Sequence, residues 1–359
     1  MANVKISAAA DAGALLSSDM LPLARSGDTN AYHATMAEVA TFTTASVASG
    51  AYGNVGRNLL HNPLFNVVQR GAGPWTTFGN YTADRWQIMG AAPDTVSTTV
   101  GAISDAGRTA IGDEAATVAL TTGFTGTSTG VTYLAHKIEG IRRTAGKNVT
   151  VSFWAWAGSG TPRIAVNAAQ VFGTGGAPSA GIFATAATVT LSTALTRYSV
   201  TIAMPSATGK TLGTNGDDYL QLTLFLNGGS NANAGGIGVQ SGTISFWGVQ
   251  LEIGSVATPL EKPDPQQDLA KCQRFYQVGA FSYIGFGNVN SYCGQTLSLP
   301  VTMRAPPTVT PTYTNTSNST AYSVQPTANT GSQLTIGTQV LAGTANAFLV
   351  GTFTASADF

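Results

Sequence analysis

The side chains that could carry catalysis are few and scattered. The string Gly126-Thr-Ser-Thr-Gly130 fits the nucleophile-elbow pattern, in which a serine stands on a strand-to-helix turn and is followed by an acid and a histidine. Neither side of Ser128 shows a helical pattern, and the chain has only three histidines, His33, His61 and His136. The sequence therefore predicts a Thr/Gly loop here and no catalytic triad.

Phosphate-loop and glycosidase patterns are also missing from the sequence. Gly209-Lys-Thr211 lacks the first glycine that a phosphate loop requires. The adjacent acid pairs Asp113-Glu114 and Asp217-Asp218 lie beside turns, where solvation or capping explains them. A glycosidase pair would have to be assembled from acids distant in the chain, and charged residues make up only 9% of it. We therefore predict that the protein is not an enzyme.

Three aromatic residues are the best candidates for contact with a ligand. Trp156, Tyr219 and Phe225 alternate with apolar positions, so they point away from the expected core. An aromatic ring on an open sheet face can stack against a sugar ring, and it can equally pack beneath a loop or against a second subunit. Both interpretations stay open, and they make these three residues the ligand-binding candidates.

The elements that would position these residues are β strands. Apolar side chains recur at every second position in several segments separated by Gly-rich turns, a pattern typical of an antiparallel sandwich with one buried face per strand. The expected inward stripes are Val149, Val151, Phe153 and Ala155; Tyr198, Val200 and Ile202; and Leu220, Leu222, Leu224 and Leu226.

The composition is typical of a β protein with few charged residues and many turns. Seventeen basic residues balance seventeen acidic ones, so no basic field favours nucleic acid or a membrane surface. The sequence shows no signal-peptide pattern and no apolar run long enough for a membrane span. Cys272 and the apolar residues near it recur at helical spacing, so Cys272 is expected to pack in a core. Cys293 lies among Gly, Asn, Ser and Tyr residues typical of a loop. Neither cysteine has a metal-ligand partner at suitable spacing.

Six short blocks, in a fixed order, resemble a known family. They are Asn58-Leu-Leu-His-Asn-Pro-Leu-Phe65, Gln69-Arg-Gly71, Tyr81-Thr-Ala-Asp-Arg-Trp86, Gly248-Val-Gln-Leu-Glu-Ile-Gly254, Ala257-Thr-Pro-Leu-Glu261 and Cys272-Gln-Arg-Phe-Tyr276. Together they resemble the jelly-roll module of bacteriophage tail-fibre and other virion-appendage proteins, a relative of carbohydrate-binding modules. The residues that the resemblance marks as architecture are Asn58, Asp84, Arg85, Trp86, Gln250, Glu252 and Glu261.

The resemblance implies a mainly β protein in three parts. Residues 1–57 would form a small α+β virion-anchoring segment and neck, with a helix beginning after Thr35 as its N-cap. Residues 58–265 would form the antiparallel jelly-roll sandwich. Residues 266–359 would form a helix, expected over 266–278, and a C-terminal β-sandwich-like domain.

The function implied is that of a fibre or spike subunit in the virion, made in the host cytoplasm. Its expected partners are two sister chains in a homotrimer, a tail, portal or capsid protein bound through residues 1–57, and a host surface glycan. The alternative is a capsid (head) fibre or decoration protein that binds glycans, and a polysaccharide depolymerase ranks below both. No cofactor is expected, although the resemblance allows a structural calcium ion whose ligands the sequence does not name.

Overall fold

The structure is a computed structural model that describes residues 20–23, 32–35, 56–324, 330–340 and 345–359. The chain divides into two compact units, Met1–Gly56 and Arg57–Phe359. In the first unit, strands β1 (Met20–Leu23) and β2 (Tyr32–Thr35) pair antiparallel. Thr35, expected as a helix N-cap, is therefore the last residue of a strand, and the predicted helix itself lies outside the described residues.

The second unit is almost entirely antiparallel β structure. The strands of its described residues are β3 (Trp86–Ala91), β4 (Thr95–Ala102), β5 (Val118–Thr125), β6 (Val131–Glu139), β7 (Asn148–Ala157), β8 (Arg163–Val171), β9 (Ile182–Phe183), β10 (Ala187–Thr190), β11 (Thr196–Ala203), β12 (Tyr219–Asn227), β13 (Ser241–Ile253), β14 (Tyr276–Gly287), β15 (Tyr292–Ser298), β16 (Thr308–Ser317), β17 (Ser319–Val324), β18 (Gln333–Val340) and β19 (Ala345–Ser356). Its α-helices are α1 (Asp105–Ile111) and α2 (Pro265–Gln273), and Ala232–Ala234 form one 3-10 turn.

Two sheets form the sandwich. The larger has the order β10-β8-β12-β6-β3, with β9 also pairing β8, and the smaller has the order β11-β7-β13-β5-β4. The predicted inward stripes of β7, β11 and β12 all face the core between the sheets, where Phe153, Leu222 and Leu224 are fully buried. The expected antiparallel sandwich is thus confirmed, because a two-residue period leaves each half-buried strand only one way to face.

One glycine changes the direction of side chains within β13. Phe246 and Leu251 both point into the core, although an unbroken strand would place them on opposite faces. A register shift between Trp247 and Gln250 accounts for this, and Gly248 there has a φ of +60°. A side chain at Gly248 would also meet Leu260, so the conformation and the space both favour glycine.

The helices differ from expectation. Helix α2 ends at Gln273, five residues before the predicted end, because Tyr276 already pairs with Ser356 at the start of β14. Cys272 is buried in this helix, as expected. Helix α1 has no counterpart in the sequence predictions, although Ser104 accepts from the Gly107 amide at its start and Gly112 closes its end at a φ of +74°.

The C-terminal β domain, residues 276–359, consists of two three-stranded sheets. Their orders are β14-β19-β16 and β15-β18-β17. Phe281, Leu334, Ile336 and Leu349 form a small core between them, in agreement with the predicted β-sandwich-like domain. Within the described part of the chain, neither helix has the length and hydropathy of a membrane-spanning segment.

Candidate functional site

Residues that the family resemblance marks join the segment before β3 to strand β13 and to the residues that follow it. Asn58 donates to Val249 O (3.1 Å), accepts from Leu251 N (3.1 Å) and, through its backbone amide, donates to the Glu261 carboxylate (2.7 Å). Gln250 accepts from Glu261 N (2.7 Å) and donates to Glu252 (2.9 Å). These polar side chains satisfy one another, so they hold the ends of the sandwich together and leave no open site.

Asp84, Arg85 and Trp86 form a second buried polar centre. The Trp86 indole lies in the core and donates to Asn62 O (3.0 Å). Arg85, at a φ of +73°, donates to Lys137 O (2.6 Å) and pairs with Asp358 (3.1 Å). Burial raises the pKa of Asp84 to about 6. This centre ties the sandwich to the C-terminal β domain.

The structure does not bring the three aromatic candidates together. Trp156 lies on the outer face of the smaller sheet, where it packs half-buried against the cluster around Trp247 and Ile103, which helix α1 covers. Phe225 is on the larger sheet but only 5% exposed, because Ala234 and Ile237 lie over it. Both positions therefore show the packing that the sequence analysis gave as one alternative, and a ligand role for Trp156 and Phe225 stays a prediction.

Tyr219 lies on the same outer face as Phe225 and stays half-buried. Its ring packs against Phe359, with ring centres 4.9 Å apart, and the Lys137 ammonium lies 5.2 Å from the Tyr219 ring. Burial raises the pKa of Tyr219 and lowers the pKa of Lys137. Of the three predicted ligand residues, Phe225 lies in the row beside the groove described next, opposite Tyr133, whereas the row of Gln221 separates Tyr219 from it.

A row of small and polar side chains crosses four strands on the outer face of the larger sheet. Strand pairing places Gln87 opposite Ala135, Ala135 opposite Thr223 and Thr223 opposite Asn167. These residues alternate with core residues such as Ile88, Leu134 and Leu222, so they point outward. We call this row the cross-strand groove; four strands give it a length of about 14 Å.

The residues along the floor of the groove are small and covered. Ala135 and Asn167 are 1% exposed and Thr223 is 3% exposed, although all three face outward. The neighbouring rows carry bulkier side chains, Tyr133 with Phe225 on one side and Lys137 with Gln221 on the other. An aromatic pair, an ammonium group and an amide therefore flank the row.

Two buried polar atoms along this row have no hydrogen-bond partner among the described residues. Gln87 donates to Gly79 O (2.8 Å), while its buried Oε1 has no partner among the described residues. Tyr81, which forms a β-bridge to Gln87, has a buried hydroxyl that also lacks a partner within that part of the chain. Burial raises the pKa of Tyr81 to about 12, so this hydroxyl remains a donor as well as an acceptor at neutral pH.

Carboxylates border the groove only at its edge. Glu139 lies next to Tyr219 across the strands, but Arg274 holds both of its oxygens, at 2.8 and 2.9 Å. Among the residues that the structure describes, no three His, Cys, Asp or Glu side chains gather as a metal site would require. The arrangement suits recognition of a neutral polar ligand by stacking and hydrogen bonds.

Sequence reasoning missed most of this groove. Tyr133 and Gln87 carry no family pattern, and their strands show weaker alternation than β12. The signal present was the outward position of Phe225, but its pairing with Tyr133 depends on the strand order, which a sequence does not reveal.

The chain was compared with known proteins. No protein-family model matches it, and no curated protein does. Among solved structures it is similar to a putative sugar binding protein from Bacteroides thetaiotaomicron (14% identity, TM-score 0.35, 55% of this chain and 100% of the other). It is also similar to the family 11 carbohydrate-binding module from Clostridium thermocellum (11%, 0.30, 50% and 95%). A third is the enzymatically active domain of bacteriophage CBA120 tailspike protein 4 (16%, 0.30, 53% and 22%). These similarities are weak, and the sandwich rests on the strand pairing described above.

Proposed function

We propose that the protein binds a glycan in the cross-strand groove and does not cleave it. The observation that carries the proposal is the groove itself: an uncharged floor that includes Gln87, whose Oε1 has no partner among the described residues, bordered by the aromatic pair Tyr133 and Phe225. Sugars present hydroxyl groups at their edges and C–H groups on their faces, so they pair with amides and stack on aromatic rings. Arg274 donates to both oxygens of the Glu139 carboxylate, which supports binding without hydrolysis.

Substitutions in the groove test the proposal. Oligosaccharides prepared from host surface polysaccharide would be titrated calorimetrically against the full chain. Gln221→Ala and Tyr133→Ala should each weaken binding about five- to tenfold, because a stacking or hydrogen-bonding contact contributes on the order of 1 kcal/mol. Tyr133→Phe keeps the ring and should retain most of the affinity.

The matched control is Thr243→Ala, on the outer face of the smaller sheet. It should bind like the unchanged protein. Equal affinity of all the variants would exclude the groove as the site. Shortening of the polysaccharide during incubation would show that the protein is an enzyme.

We also propose that this binding serves a bacteriophage fibre or spike, in which residues 1–57 join the virion. Support comes from the six sequence blocks and from the division of the chain at Gly56 and Arg57. A chain beginning at Arg57 should keep its unfolding temperature, since its core residues start at Leu59, and it should fail to join particles. Normal incorporation of the shortened chain would place the anchor elsewhere.

A capsid fibre or decoration protein remains the alternative. Antibody labelling of virions distinguishes a tail fibre from a capsid protein.

A further inference from the structure

A pocket lies between the opening segment of the sandwich and helix α2. Its volume is about 350 Å³. The walls are mainly apolar and include Leu64, Val68, Pro263 and Leu269. A space of this size accommodates a side chain or a small molecule.

One carboxylate lines this apolar pocket. Asp268 is only 4% exposed, and one of its oxygens accepts from Asn62 N (2.8 Å). Its other oxygen has no hydrogen-bond partner among the described residues, and Asp268 lines the pocket. Burial raises the pKa of Asp268. A carboxylate held out of water in this way is stabilised by a positive partner.

The position of Asp268 is fixed by its surroundings. The Asn62 side chain donates to Val67 O (2.8 Å) and accepts from Val67 N (3.0 Å), so the segment that supplies the pocket wall is tied to the residue that holds the carboxylate. The carboxylate cannot turn away without losing the Asn62 contact. The pocket is therefore preformed for a ligand with an apolar body and a cationic end.

We propose that this pocket binds an aliphatic cation, with the ammonium or guanidinium group on Asp268 and the carbon chain against Leu64, Val68 and Leu269. A lysine or arginine side chain of another polypeptide and a free alkylamine share this chemistry. The site is separate from the cross-strand groove, and it does not depend on glycan binding.

The test uses butylammonium chloride and butanol as probes on the full chain. Methyl NMR signals of Leu64, Val68 and Leu269 should shift saturably with butylammonium, and butanol should bind at least tenfold more weakly. Asp268→Asn keeps the acceptor for Asn62 N but removes the charge, and it should weaken butylammonium binding at least tenfold. Asp217→Asn is the matched control, because Asp217 also accepts a backbone amide, from Thr174 at 2.7 Å.

A second variant guards against misfolding of the first. Leu269 is exposed at the pocket mouth, so Leu269→Trp should fill the space without unfolding the chain, and binding should be lost although Asp268 is intact. Equal binding of butanol, or unchanged binding by Asp268→Asn, would overturn the proposal. Nα-acetyl-lysine methylamide separates the sources: tighter binding than butylammonium indicates a polypeptide partner, and equal binding indicates a small amine.

Discussion

Arg85 contacts residues that lie far from it in the chain. Its guanidinium lies 3.4 Å from the centre of the Phe275 ring and pairs with Asp358, both contributed from beyond the sandwich. The neighbouring Asp84 does not pair with it and instead accepts from Gln69 (2.5 Å). The family resemblance marked Asp84 and Arg85 only as architecture, and a motif of adjacent residues could not reveal that the partner of Arg85 is 273 residues away.

Removing the charge of Asp358 should destabilise the second unit strongly. Asp358→Asn leaves the buried Arg85 without a carboxylate, and breaking a buried pair in this way costs about 3–5 kcal/mol. Urea unfolding measures the loss. The control is Asp105→Asn, which removes an exposed partner of Arg108 and should change the free energy of unfolding by less than about 0.5 kcal/mol. Equal effects of the two substitutions would contradict a structural role for the Arg85 pair.

Two buried histidines make stability depend on pH. Burial lowers the pKa of His61 to about 3 and holds the pKa of His136 well below 6.5. In the unfolded chain both titrate near 6.5, so below that pH the unfolded state binds more protons and stability falls as the pH falls. Asp84 acts oppositely, because its raised pKa lets the folded state gain a proton between about pH 6 and 4.

The two histidines should lower the free energy of unfolding by up to about 2.7 kcal/mol per pH unit between pH 6 and 4, and the raised pKa values of Asp84 and Asp268 reduce this loss. Urea unfolding at pH 7, 6, 5 and 4 measures it. His136→Gln removes one histidine and should reduce the loss by about 1.4 kcal/mol per pH unit. An unchanged slope in His136→Gln would rule out a contribution from His136.

At the scale of elements, the two sheets carry different surfaces. The smaller sheet is partly covered by helix α1, and Trp156 belongs to that covered cluster. We expect Trp156→Ala to lower the free energy of unfolding by about 2 kcal/mol, less than for a fully buried tryptophan, and to leave glycan affinity unchanged. Trp156→Phe should retain most of the stability. Weakened binding with unchanged unfolding would return Trp156 to the list of ligand residues.

Strand faces were predictable, but the groove was not. The leucines of β12 and the apolar residues of β7 face the core as their alternation indicated, because burial of one face fixes the register. The groove depends instead on which strands lie side by side, such as β6 between β3 and β12. That order is set by long-range pairing, and no local pattern near Ala135 or Thr223 encodes it. The sequence also did not predict the segments that cover the sheets, such as Ala232–Ala234 over Phe225.

At the scale of the whole molecule, the C-terminal β domain presents an uncharged edge. Strand β14 ends its sheet, contains no charged residue, and exposes Ile284 (64%) and Phe286 (68%) on one face. Proteins commonly protect such edges with charge or with a partner. The homotrimer remains a prediction of the sequence, and this face is where we expect sister chains to meet.

A lysine on this face should weaken the assembly. Ile284→Lys is expected to lower the mass measured by light scattering, because it places charge in an apolar contact. Val239→Lys is the matched control, since Val239 is similarly exposed (53%) but lies in the sandwich. If the unsubstituted chain is a monomer in light scattering, the prediction that sister chains meet at β14 is wrong.

The link between Arg85 and Asp358 also bears on how the protein is made. A ribosome adding roughly 5–20 residues per second needs roughly 14–55 s to pass from one residue to the other. Every core residue of the sandwich lies between Leu59 and Leu251, so that core can close on the nascent chain before Asp358 exists. Arg85 must stay hydrated during this interval. The joining of the two β domains therefore follows closure of the sandwich core and waits until Asp358 has left the ribosome.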